Sequence, residues 1–133
     1  MEVLFLIGRI LLGVYFVYNG VNHLLRLKEM AGYTASMGVP FPTAAVAVTG
    51  LMLLFGGITV ALGAWAQWGA LVLILFLVPV ALVMHRFWGV KDPMMAANQQ
   101  AHFLKNIALA AACLALIYLY TRPGFEPAFS LLP

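Results

Sequence analysis

Ile7 to Arg26 reads IGRILLGVYFVYNGVNHLLR, an apolar run long enough to enter a membrane that nevertheless carries residues a membrane rejects. Counting on from Arg9, the residues Gly13, Phe16, Gly20 and His23 follow at steps of four, three, four and three, which on a helix form one continuous stripe. Two glycines on that stripe let a neighbouring backbone approach closely. Asn19, Asn22 and Arg26 fall beside it near the far end. The polar face must therefore look at protein, and the opposite face at lipid.

Working outward, the chain has 133 residues, of which 65% are hydrophobic and 8% charged. With a mean hydropathy of +1.02, a soluble domain of this length has no core large enough to hide them. Apolar runs able to cross roughly 30 Å of hydrocarbon lie at about residues 3–25, 43–63, 68–87 and 102–120. The expected fold is all-α, one membrane-embedded four-helix bundle over residues 1–133. The first run opens with Glu2 instead of a basic region and lacks a small-residue cleavage site, so it is read as a retained helix and not as a signal peptide. No stretch remains for a soluble catalytic domain, and the chain is not expected to be an enzyme on its own.

Between the first two runs lies RLKEMAGYTASMGVPFP (residues 26–42), too long for a tight turn. Helix formers come first and two prolines last, which predicts an interfacial helix followed by an extended Gly38–Pro42 segment, with Tyr33 and Phe41 at headgroup depth. Trp65 and Trp68 flank a short second loop that makes the second and third helices an antiparallel hairpin. Pro79, near the middle of the third helix, removes one backbone hydrogen bond and is expected to bend it. Asp92 followed by Pro93 has the form of a helix start with a capping carboxylate. The fourth helix then runs along the interface and enters the membrane near His102. Its Ala108, Ala111, Ala112 and Ala115 are packing positions, as is the lone Cys113. The tail from Thr121 is expected to lie over the outer surface.

Arg26, Lys28, Arg86, Lys91 and Lys105 fall on one side of the predicted bundle and Arg122 on the other. The positive-inside tendency then puts the first and third loops in the cytoplasm and both termini outside, in a plasma (inner) membrane. Alternating helix directions also gather polar residues on that cytoplasmic side. They are Asn22, His23 and Arg26 from the first helix, His85 and Arg86 from the third, and His102, Lys105 and Asn106 from the fourth. Ionisable groups in hydrocarbon cost about 2.5 kcal/mol or more, so such cations either snorkel or serve a task.

Three readings of this cluster compete. A three-histidine metal site is disfavoured, because no two histidines share the i, i+4 spacing and only Asp92 or Glu29 offers a nearby carboxylate. A haem held by two histidines is less favoured still. Alternatively, His23, His85, Lys105 and Asn106 present hydrogen-bond donors at the depth of a quinone head group, with Phe16, Phe87 and Trp88 to stack on it. The plain reading is that each histidine satisfies a local carbonyl. Arg9, on the opposite half, is expected to point inward, with Thr59 or Tyr118 as oxygen partners at its depth. Arg9 therefore joins His23, His85, Lys105 and Asn106 as a candidate binding residue.

Together, Arg9, Gly13, Phe16 and Gly20, the Gly38-Val-Pro-Phe-Pro42 loop, Gly56-Gly57 and Gly63, His85 with Phe87 and Trp88, and Phe103 with Lys105-Asn106 resemble the DoxX family of small four-helix membrane proteins. The resemblance covers about residues 5–120. Family members often have a lysine at the position of His23 and a glutamate at that of Leu53, so both halves of an ion pair are absent here together, which avoids an unpaired buried charge. The resemblance implies links to quinone-coupled thiosulfate oxidation, to membrane assemblies that handle oxidative stress, and more distantly to cargo handling in secretion. The expectation is an accessory or scaffold subunit of a redox-related membrane assembly, near quinone. A quinone-reactive oxidoreductase subunit and a small oligomeric transporter or lipid-binding protein are the alternatives. Expected partners are membrane lipids and either other membrane subunits or further copies of the chain, and not nucleic acid.

Overall fold

A computed structural model describes residues 1–127 and 129–131. It is all-helical, with α1 at Glu2–Leu25, α2 at Leu27–Ser36, α3 at Pro42–Leu62, α4 at Ala66–Met84 and α5 at Pro93–Thr121. All but α2 are long and apolar enough to cross a membrane. Large apolar side chains such as Leu11, Leu51, Leu75 and Leu114 stand exposed, as they must where lipid is the solvent.

The buried residues of α1 are Arg9, Gly13, Phe16 and Gly20, the expected stripe. A Cβ built on Gly13 would lie 2.5 Å from the Gly57 carbonyl oxygen and 2.6 Å from Ala61 Cβ, so α1 and α3 touch backbone to backbone. The adjacent glycines of α3 serve opposite neighbours: Gly57 faces Val17 of α1, while Gly56 faces Leu73 of α4. From this doubly packed helix the layers follow in the order α1, α3, α4, α5, with α2 laid against α3 and α1. Phe16, Leu53, Val60, Leu73, Leu77 and Cys113 fill the centre.

Local chemistry sets the helix ends. Arg26 leaves helical geometry between α1 and α2, and Gly38, at φ +82°, releases the chain from α2; the loop that follows is not the extended Gly38–Pro42 segment expected, because Phe41 is left-handed at φ +49° and Pro42, with its fixed φ, already opens α3. Gly63, at φ +69°, terminates α3 by donating to Val60 O while Ala64 donates to Thr59 O, a left-handed close that glycine adopts without strain. The third helix ends at Met84 and not near residue 87, so His85, Arg86 and Phe87 lie beyond it. Arg86 Nε donates to Val83 O and satisfies one of the orphaned carbonyls at that end. Asp92 precedes α5 in extended geometry with Pro93 in the first turn, but its carboxylate makes no capping bond; only its main-chain carbonyl is used, by Ala96 N.

The tail does more than cover the surface. Phe125 packs edge-on to Phe5 and Tyr120, and Leu131 N donates to Leu62 O. Beneath it Arg9 is 2% exposed and points inward. Its Nη1 donates to Tyr120 Oη at 3.0 Å and Ser130 Oγ at 2.7 Å, and its Nη2 to Phe129 O at 3.0 Å. Thr59 and Tyr118 are not its partners. Thr59 turns its hydroxyl back to Phe55 O and Gly56 O within its own helix, and Tyr118 is 62% exposed, where Arg122 lies over its ring. Tyr120 lies two residues beyond Tyr118, on another face of α5, and the tail brings oxygens that no helix spacing announces.

Candidate functional site

The Arg9–Tyr120 bond and the Phe5–Tyr120 ring contact join α1 to α5 at one end of the bundle. At the other end no hydrogen bond links them among the described residues, and the space holds a cavity of about 710 Å³. That is within the roughly 300–1,000 Å³ typical of small-molecule sites. All five helices line it. Phe16, Leu53, Phe76, Leu77 and Val80 make an apolar floor, and the polar lining comes from α1, α2, α3 and α5 and from His85 just beyond α4.

His23, His85, Lys105 and Asn106 all line this cavity, so the cluster expected on one side of the membrane is one place in space. Arg9 does not belong to it. It lies about four helical turns from His23 along α1, beyond the reach of any side chain. Phe87 and Trp88 are also elsewhere, packed edge-on against each other and against Phe103. Of the aromatics proposed for stacking, only Phe16 faces the cavity. The helix ends before residue 87, so the chain turns both rings away.

The hydrogen bonds determine what each polar residue can still offer. His23 Nδ1 lies 3.3 Å from Val46 O and 3.1 Å from Thr49 Oγ1. A carbonyl only accepts, and the Thr49 hydroxyl donates to Ala45 O at 2.7 Å, so His23 carries its proton on Nδ1. Its ring meets Phe76 edge-on at 5.8 Å. Asn106 is 4% exposed and its Nδ2 faces Leu77 O at 3.5 Å, a long bond whose acceptor again fixes the amide orientation. Lys105 is exposed and has no hydrogen-bond or ion-pair partner among the described residues.

His85 belongs to a chain of contacts across the mouth. Its Nδ1 sits 3.0 Å from Gln99 Oε1, and Gln99 Nε2 donates to Tyr33 Oη at 3.1 Å, so α2, α5 and the end of α4 are tied together. The His85 and His102 rings stack at 5.0 Å and 24°. Burial holds the His85 pKa below its ordinary value, the Gln99 bond works against that, and the neighbouring His102 and Lys105 lower it further. A carbon or nitrogen titration of His85 should then give a midpoint below about 6.5. The folded state binds fewer protons than the unfolded chain in that range. The associated stability is intact above the unfolded midpoint and is lost as pH falls through the lowered one. A midpoint above 6.5 contradicts this.

Gln99 and Tyr33 escape a reading based on ionisable residues, although each carried a signal. Gln99 precedes His102 by one turn, and Tyr33, although 47% exposed, lines the cavity from α2. Arg26 and Glu29 form an exposed ion pair at the cavity rim, which raises the arginine pKa and lowers that of the carboxylate through their hydrogen bond. Arg26 is thus paired and not simply snorkelling, and exposed pairs of this kind contribute little stability. Among the described residues no group of three or more His, Cys, Asp or Glu converges as metal ligands: His85 and His102 are together, and His23 keeps to α3 and Phe76.

Comparison with known proteins follows the same lines as the residue pattern. The DoxX family model matches residues 4–86, more than half of the chain. The chain is also 29% identical over 122 residues, 92% of its own length and 85% of the relative's, to "Inner membrane protein YphA" of Escherichia coli (strain K12). No solved structure matches it.

Proposed function

Because this chain belongs to the DoxX family, we propose that it is a small inner-membrane subunit that holds the head group of a quinone-type amphiphile in the cavity between α1 and α5, without chemistry of its own. The observation that carries this reading is the cavity of about 710 Å³, apolar at its floor and polar at its mouth. An amphiphile with a flat polar head and an alkyl tail matches that gradient, because tail burial and head-group hydrogen bonding act in the same pose. The inner-membrane location is carried over from the name of the Escherichia coli relative. Cytoplasmic first and third loops are supported by the grouping of Arg26, Lys28, Arg86, Lys91 and Lys105 on the cavity side.

Extraction in mild detergent followed by lipid analysis tests the reading. A membrane quinone should copurify in near-stoichiometric amount, and Val80→Trp, which fills the cavity from α4, should lower it at least about tenfold. Equal quinone in both preparations would remove the proposal.

A second reading, a scaffold that seats another membrane helix, rests on α5. Its Ala108, Ala111, Ala112 and Ala115 are all exposed, so the small-residue face predicted for packing has no partner among the described residues. The same extraction reads this too, as a larger complex or a lone monomer.

A further inference from the structure

Arg9 is a buried cation whose partners among the described residues are all neutral. It is 2% exposed, and Glu2 and Glu126, the acidic residues at its end of the bundle, make no ion pair with it among the described residues. A charge held in apolar surroundings without a counter-charge is costly, and bonds to neutral oxygens offset only part of that cost. The guanidinium makes three bonds with its five N–H donors, and Nε is buried with no acceptor among the described residues. The Phe5 ring covers one face, 6.0 Å from Cζ. The bare Gly63 of the α3 terminus admits the group, because a Cβ there would collide with Nη1.

Oxygens of the tail sit where those of an anion would. Ser130 Oγ on Nη1 at 2.7 Å and Phe129 O on Nη2 at 3.0 Å put one oxygen on each terminal nitrogen, the pattern in which an arginine fork takes a carboxylate or a phosphate. The tail adopts this pattern under strain. Phe129 is left-handed at φ +60°, a conformation that a Cβ disfavours, and at 71% exposure it gains little burial in return. Beyond it the main-chain anchor is Leu131 N to Leu62 O at 3.3 Å. A segment held in this way is exchangeable for a ligand that brings a full negative charge to the same two nitrogens.

The geometry points to an oxyanion site at Arg9, in which a phosphate takes the places of Phe129 O and Ser130 Oγ and releases the tail. Tyr120 Oη lies 3.0 Å from Nη1 as an acceptor and 3.5 Å from Ser130 Oγ, so its own proton is available to a phosphate oxygen in the position of Ser130. The source that fits is a lipid. Arg9 lies about 10 Å along α1 from Glu2, beneath the rings of Phe5, Tyr120 and Phe125. A phosphate carried on acyl chains reaches that depth from the interface, whereas a free ion must shed its water to do so. The site is at the opposite end of the bundle from the cavity and is independent of the ligand proposed there.

Hydrogen exchange at residues 129–131 of the full chain, exchanged exhaustively into phosphate-free dodecyl maltoside, tests the site. Saturating dioleoyl phosphatidylglycerol should speed exchange there about tenfold or more, because binding only the open form multiplies its population by one plus the ratio of ligand to Kd. Dioleoyl glycerol, the same lipid without the phosphate, should have no effect. Acceleration by inorganic phosphate alone would support the oxyanion site and assign its ion to solution. Arg9→Met, with its tail open from the start, should show no further response to the lipid. Ser130→Ala, which leaves the helices untouched, should respond at a lower phosphatidylglycerol concentration and decides with the unaltered protein should Arg9→Met not fold. The inference is overturned by exchange that neither phosphatidylglycerol nor phosphate changes, by equal acceleration with dioleoyl glycerol, or by a lipid response that persists in Arg9→Met.

Discussion

Gly13→Val should abolish the stable bundle, whereas Gly8→Ala, one α1 position away from that stripe, should leave it intact. A Cβ at residue 13 meets the Gly57 carbonyl oxygen at 2.5 Å and the Ala61 main-chain nitrogen at 2.7 Å, and backbone atoms have no rotamer to escape into. At Gly8 the same atom meets nothing within 4 Å. Overpacking typically costs about 1–3 kcal/mol where side chains can shift. Here the two helices must separate along their whole contact, which also loosens Gly20 against Gly50 and Leu54. The cost is therefore expected at or above the top of that range, read as loss of monodisperse protein after extraction and a collapsed thermal transition. A Gly13→Val protein that extracts and melts like the parent would show that α1 and α3 do not pack this way.

Arg9→Met is expected to free the C-terminal tail while changing the global melting temperature far less. The guanidinium makes three hydrogen bonds, two of them to the tail residues Phe129 and Ser130, and among the described residues it has no carboxylate partner and its Nε has no acceptor. Removing a buried charge relieves desolvation, which offsets part of the lost bonding in the helices. The tail has no such compensation. Bonds to a charged donor contribute about 1.5–3 kcal/mol each, so losing two raises the opening equilibrium of the tail at least about a hundredfold. Hydrogen exchange over residues 122–127, or cleavage after Arg122, reads that change directly. Arg9→Lys should fall between, because one ammonium cannot reproduce the fork that reaches Tyr120, Ser130 and Phe129 together. Unchanged tail protection in Arg9→Met would rule out the clamp.

Both effects begin in the stripe of Arg9, Gly13, Phe16 and Gly20, and it was legible because helical periodicity and the cost of polarity in lipid are properties of one segment. The same holds for the four spanning runs and the amphipathic α2. The meeting of His23, His85, Lys105 and Asn106 at one cavity also followed from the alternation of helix direction, since antiparallel neighbours bring alternate ends together. These features need only local periodicity and the thickness of a bilayer.

Tertiary structure alone decided what those residues can do. Nothing in the spacing of α1 shows that His23 spends its proton on Val46 O, or that Asn106 turns its nitrogen to Leu77 O, because each acceptor belongs to a helix distant in sequence. The partners of Arg9 were hidden for the same reason, as two of its three bonds reach across 120 and 121 residues to the tail. Sequence determined which side chains would be expelled from lipid and onto which face, since that depends on each residue and its immediate neighbours. Which lone pair or proton remained free for a ligand depended on the pairing of groups across helices, and that pairing exists only once the chain is folded.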